Sequence, residues 1–209
     1  MLLKHLIGLM QPDSGQVLVD GIDLGRLRGK ALDLVREKFG VLFQGGALFD
    51  SMTVFDNVAF PLREKTRLSE GEITQRSMQR LEAVGLADMA HKYPAELSGG
   101  MRKRAGIARA MALDPEILFL DEPSAGLDPV TSAGLDNLIV QLNASLGTTM
   151  VVVTHELPSI YSIAHRVIML DKREKNIIAE GSPAELRDKS DNPFVRNFFN
   201  RQVGEGLSV

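Results

Sequence analysis

The 209-residue chain has no cysteine, so no disulfide scaffold can hold it together, and that composition suits a reducing, cytosolic compartment. Aromatic residues make up only 5% of it, and charge is nearly balanced, with a formal net charge of −3. With a pI near 5.8, no strong positive field is available to attract nucleic acid, so no nucleic-acid partner is expected. No apolar run approaches the roughly 18–20 residues that a membrane helix requires, and no segment reads as a signal peptide. A membrane role would therefore come through a partner. Hydrophobic residues still account for 44% of the chain, enough at this length to bury a proper core.

The most informative stretch runs from Leu97 to Pro129. Leu97-Ser98-Gly99-Gly100 places two glycines directly before a run of good helix formers that includes Ala105, Ala108, Ala110 and Ala112. Glycines at a helix start leave backbone N–H groups open to an anion, and the helix dipole favours negative charge there. Ser98 suits the N-cap and also offers a hydroxyl to a phosphate oxygen. About twenty residues on, Ile117-Leu118-Phe119-Leu120 leads into Asp121 and Glu122, an apolar strand ending in two carboxylates. Nucleotide-hydrolysing α/β folds use such a strand to bring one acid near Mg²⁺ and another near a water.

Other segments follow the same logic. Gln44 closes the apolar run Val41-Leu42-Phe43, and His155 follows Met150-Val151-Val152-Val153-Thr154. Strands are also expected at Gln16–Val19, turning at Asp20-Gly21, and at Phe39–Phe43, 167–170 and 176–180. A helical pattern spans Asn57 to Ala112, and Leu135, Leu138, Ile139, Leu142 and Leu146 mark an amphipathic helix. Strands separated by helices of this length imply a parallel α/β sheet carrying an inserted helical lobe. The segment from Gln202 onward, rich in small residues, reads as frayed. Arg102, Lys103 and Arg104 read as well as a solvated helix face as they do as a functional cluster.

These motifs resemble the ATP-binding cassette (ABC) family: the LSGG signature, the Walker B strand, the D-loop Ala125-Gly126-Leu127-Asp128, the glutamine loop and the switch histidine. Phe43–Asp50, Val54–Leu62, Met101 and His155–Ile160 are similar to its phospholipid-transport (Mla, MCE-associated) subfamily. The resemblance implies a P-loop NTPase-type (RecA-like) parallel sheet core at 1–45 and 113–190, a helical subdomain at about 46–112 and a tail at 191–209. It implies ATP and Mg²⁺ as ligands. Glu122, His155 and Gln44 would be catalytic, and Asp121 with Gln44 would lie toward the metal. Ser98, Gly99, Gly100 and Asp128 would act on nucleotide across a homodimer.

It also implies an integral-membrane permease contacted through Ala47–Leu62, an MCE-type lipid-binding subunit, and a peripheral position on the cytoplasmic face of a bacterial inner membrane. The family's P-loop string, G-x-x-x-x-G-K-[ST], is not found in these 209 residues. Leu2–Leu9 resembles the helix that follows it, so the chain reads as a cassette without its first few dozen residues. The missing strand would lie between those at 150–154 and 167–170. Two rival readings are a soluble ABC protein acting on DNA or ribosomes and a non-hydrolysing regulatory module. The first usually brings a coiled-coil insertion or a second cassette, neither of which is present. Retention of both Glu122 and His155 argues against the second.

Overall fold

The computed structural model describes residues 1–203, which fall into two compact units, Met1–Thr154 and the segment from His155 onward. The first opens with α1 (Leu2–Leu6) and the short hairpin of β1 (Leu18–Val19) and β2 (Ile22–Asp23). Asp20 and Gly21 turn that hairpin with φ of +49° and +77°, the pair of positive values a two-residue type I′ turn requires. There follow α2 (Lys30–Arg36), β3 (Phe39–Leu42), α3 (Val54–Lys65), α4 (Glu70–Ala83) and α5 (Gly99–Ala110). The unit closes with β4 (Ile117–Asp121), α6 (Pro129–Leu146) and β5 (Thr149–Val153).

Strands β3, β4 and β5 form a parallel sheet in that order, with Phe39 opposite Ile117 and Asp121 opposite Val153. The central strand is buried on both faces, as parallel strands covered by helices are: Leu118, Phe119 and Leu120 are all buried. On one face, Leu3 and Ile7 pack with Phe119, Phe39, Val41 and Val151, and the Phe39 and Phe119 rings meet edge to face at 5.4 Å. On the other, α5 lies so close to β3 that a Cβ at Gly40 would collide with the Ala110 carbonyl, Leu118 and Pro115. Parallel strands send all their C-terminal ends to one edge of the sheet, so Gln44 and the Asp121-Glu122 pair leave it on the same side.

The helical stretch begins at Val54, three residues before the expected Asn57, because Thr53 caps it: its hydroxyl accepts the Asp56 N–H at 3.0 Å. Helix α4 starts with a capping box between Ser69 and Glu72, and α6 ends at Gly147 in the left-handed conformation.

The second unit contains α7 (Leu157–Ile163), β6 (Val167–Asp171), β7 (Asn176–Gly181), α8 (Pro183–Lys189) and α9 (Pro193–Asn200) around Ile160, Leu186, Val195 and Phe199. The strands expected at 167–170 and 176–180 are present as β6 and β7. They pair antiparallel with each other, because residues 172–175 leave room for a turn and not for a crossover. Of the segment expected to fray from Gln202, residues 204–209 lie outside the described residues. Among the described residues, no helix is long and apolar enough to cross a membrane.

Candidate functional site

Helix α5 organises the site, and its buried stripe explains how. Gly100, Lys103, Gly106 and Ile107 recur at helical spacing and are all buried. Ser98 is the N-cap, its Oγ accepting the Met101 N–H at 3.2 Å. A Cβ at Gly100 would lie 2.5 Å from Thr131 Cγ2, and one at Gly99 would lie 3.3 Å from Leu127 Cδ2, so the glycine turn rests against the start of α6. There Asp128 caps α6, accepting the N–H groups of Val130 and Thr131 at 3.1 and 3.0 Å. Bonds from the Thr131 hydroxyl and backbone hold the Asp128 carboxyl below the usual carboxylate range. The structure thus brings Ser98, Gly99, Gly100 and Asp128 together.

One turn along α5, Lys103 reaches the tip of β4. It is only 5% exposed, and its Nζ donates to the Glu122 carbonyl at 2.9 Å. Burial pushes the ammonium pKa down, opposed by the negative charges of Glu122 and Asp121. This residue is not on a solvated helix face. The signal that separates it from Arg102 and Arg104 is its phase, three residues from Gly100 and four from Ile107. Glu122 itself has φ +47°, a left-handed value uncommon outside glycine, while its N–H continues the ladder to Val153 O at 2.8 Å.

Further along, α5 supports the loop after β3. Gln44 is exposed on this loop, and Gly45, Gly46 and Ala47 follow with φ of +88°, +86° and +46°. The Arg109 guanidinium holds that shape by donating to Ala47 O at 2.7 Å and Gly46 O at 3.3 Å, and it sits 5.6 Å from the Phe49 ring centroid. Its burial lowers its pKa. A Cβ at Gly106 would meet Leu42 and the Gly46 carbonyl.

The next loop is anchored by Asn57, which is fully buried. Its carboxamide accepts the Phe49 N–H at 2.8 Å and donates to the carbonyls of Phe49, Met52 and Thr53. Neither Asn57 nor Arg109 is among the site residues expected from sequence; a polar residue inside an apolar helix face is the available signal for the first. His155 belongs to the second unit, with Nε2 3.9 Å from Glu156 Oε1.

The description "ABC transporter" fits residues 1–125, which include the signature turn, all of α5, and the acid pair at the end of β4. The chain belongs to the ABC transporter family. Over 203 residues it is 47% identical to a probable ribonucleotide transport ATP-binding protein, mkl, of Mycobacterium leprae, covering 97% of this chain and 58% of that one. The chain therefore spans little more than half the length of that relative. Over 200 residues it is 46% identical to the intermembrane phospholipid transport system ATP-binding protein MlaF of Escherichia coli, covering 95% and 73%.

Among solved structures, the ABC transporter cassette MJ0796, in a dimeric post-hydrolysis state bound to ADP and Pi, superposes with a TM-score of 0.77 at 32% identity, over 87% of this chain and 78% of that one. Clostridium perfringens cbiO1, part of the ABC transporter complex cbiONQ, gives 0.81 at 30%, over 90% and 74%. The parallel three-stranded sheet with its helices is thus the P-loop NTPase cassette fold of ABC proteins.

Proposed function

We propose that this ABC family member is the ATP-binding and ATP-hydrolysing subunit of a transporter that moves phospholipids. One observation carries the reading: a single helix, α5, ties the LSGG turn, the D-loop and the acid-bearing tip of β4 into one rigid group through Gly99, Gly100 and Lys103. Glu122 is the general base that polarises the attacking water, and His155 is the hydrogen-bond partner of the γ-phosphate. Ser98, Gly99 and Gly100 present N–H groups and a hydroxyl to the nucleotide of a second copy, and Asp128 crosses between the two. ATP closes that pair and hydrolysis opens it.

Asp121 and Gln44 would hold Mg²⁺. Among the described residues no cluster of three or more His, Cys, Asp or Glu could hold a metal by itself. One carboxylate and one amide suit an ion that keeps several waters and takes further ligands from substrate phosphates. The ion would supply charge neutralisation at the γ-phosphoryl group. In this reading the helical lobe is residues 46–112 and the core is residues 1–45 and 113–190. Ala47–Leu62 meets a permease, an MCE-type subunit joins the complex, and the protein sits peripherally on the cytoplasmic face of the inner membrane.

The test is Glu122→Gln in the assembled transporter. ATP binding should persist while steady-state phosphate release falls by roughly 10²–10⁴-fold. Release close to wild type would remove Glu122 from the role. A second cargo reading, ribonucleotides, is favoured by the 47% identity to mkl. A deletion strain separates the two: lost lipid asymmetry supports the phospholipid reading, and lost ribonucleotide uptake with normal lipids supports the other.

A further inference from the structure

We propose that Lys103 is a positioning residue: its ammonium clamps the Glu122 carbonyl and thereby holds that residue in the left-handed conformation from which its carboxylate leaves β4. The consequence for hydrolysis rests on the function proposed above, whereas the clamp itself does not.

Three observations converge on that carbonyl. Glu122 stands where the strand ends, with its N–H still in the ladder to Val153 O at 2.8 Å while its φ has already turned to +47°. A side chain in that region of φ is disfavoured unless surrounding structure compels it, and glycine would adopt it freely. The turn provides one restraint, since Ala125 N–H reaches the Glu122 carbonyl at the long distance of 3.3 Å. Lys103 provides the other at 2.9 Å, and charge-assisted bonds are the stronger kind.

The placement of the lysine is costly, which is why a role is required for it. It lies at the centre of the stripe Gly100, Lys103, Gly106, Ile107, where its helix is packed against the rest of the unit. A buried ammonium loses its hydration and has to recover it from fixed acceptors. A peptide carbonyl at the strand tip, with the Asp121 and Glu122 charges close by, is such an acceptor. Because α5 also carries the signature turn at its N-terminus, the same helix that presents Ser98 to a second copy fixes the direction of this chain's own general base. Motion of α5 would therefore reach Glu122 through one hydrogen bond.

The alternative is that Lys103 only neutralises the two acids. Lys103→Gln separates the ideas, because the amide can still donate to the carbonyl but carries no charge. The reading is made on the full chain, isotope-labelled and without nucleotide, from the strong intraresidue amide–Hα NOE that a positive φ produces at residue 122. The clamp predicts that the NOE is lost in Lys103→Met and kept in Lys103→Gln. Persistence in Lys103→Met, or loss in Lys103→Gln, would overturn it. Should Lys103→Met fail to fold, adding Glu122→Gly must restore folding, since glycine needs no clamp; failure of that rescue overturns the proposal too. In the transporter, Lys103→Met should lower kcat on the order of 10²-fold with KM for Mg·ATP unchanged, and Lys103→Gln should restore most of it. A wild-type complex without turnover would defeat the hydrolytic reading and leave the NOE result to decide the clamp.

Discussion

At the scale of single residues, the site depends on side chains that are absent as much as on those present. Gly40 and Gly106 let α5 approach β3 and the loop beyond it, so the signature helix lies flush on the sheet. A Cβ at Gly40 would meet a backbone carbonyl, at Ala110, that cannot rotate away as a side chain could. Gly40→Ala should therefore destabilise the protein by about 1–3 kcal/mol, the usual cost of overpacking. For a chain of this size that corresponds to a melting temperature lower by roughly 2–4 °C per kcal/mol. An unchanged melting curve would mean that α5 is free to ride up from β3, and the rigid grouping of signature and strand tip would lose its basis.

At the scale of elements, caps decide where helices start, and the capping boxes of α4 and α8 carry a pH signature. Hydrogen bonds from the Ser69 and Ser182 hydroxyls and backbones hold Glu72 and Glu185 below the ordinary glutamate pKa. A depressed folded-state pKa means stability that is present above the unfolded value and lost as pH falls through the folded one. Glu72→Ala and Glu185→Ala should therefore melt below wild type at neutral pH and converge with it as pH drops well under 4.5. A constant gap across that range would show that the boxes act through packing alone.

The loop before α3 is a different case. Asn57 replaces the regular structure that residues 49–53 lack, satisfying four backbone groups from inside the fold. Asn57→Ala would remove the side-chain partner of the Phe49 N–H and the Met52 carbonyl, at a cost of about 1–3 kcal/mol, while the Phe49 and Thr53 carbonyls keep the backbone N–H groups of residues 52 and 57. It should also loosen the Phe49–Phe60 pair, whose rings meet at 5.0 Å on the proposed permease surface. Reduced co-purification of the subunit with its permease, alongside unimpaired nucleotide binding, is the expected result; undiminished co-purification would move the interface elsewhere.

At the scale of the whole molecule, what was legible depended on whether a pattern names its own partner. Apolar runs ending in Gln44 or Asp121 could be read as parallel strands because long helical segments separate them. The strands β6 and β7 were legible as apolar runs, whereas their antiparallel pairing is carried only by the four-residue gap between them. Lys103 was illegible among its basic neighbours until the phase of α5 was known. The LSGG turn was legible because its function requires backbone exposure, which glycine and a capping serine announce directly. That turn is also where the assembly prediction is sharpest. In a Glu122→Gln background of a chain that includes the P-loop, where hydrolysis is blocked, ATP should convert the protein from monomer to a closed pair, read by light scattering after gel filtration. Ser98→Arg on that background should leave a monomer that still binds ATP, because bulk and charge would occupy the face offered to the partner's nucleotide. Loss of the cap costs about 0.5–2 kcal/mol by itself, so Ser98→Asn, which keeps a capping oxygen without the guanidinium, is the control and should still pair. A Ser98→Arg variant that pairs normally would show that the start of α5 does not face the second copy's phosphates.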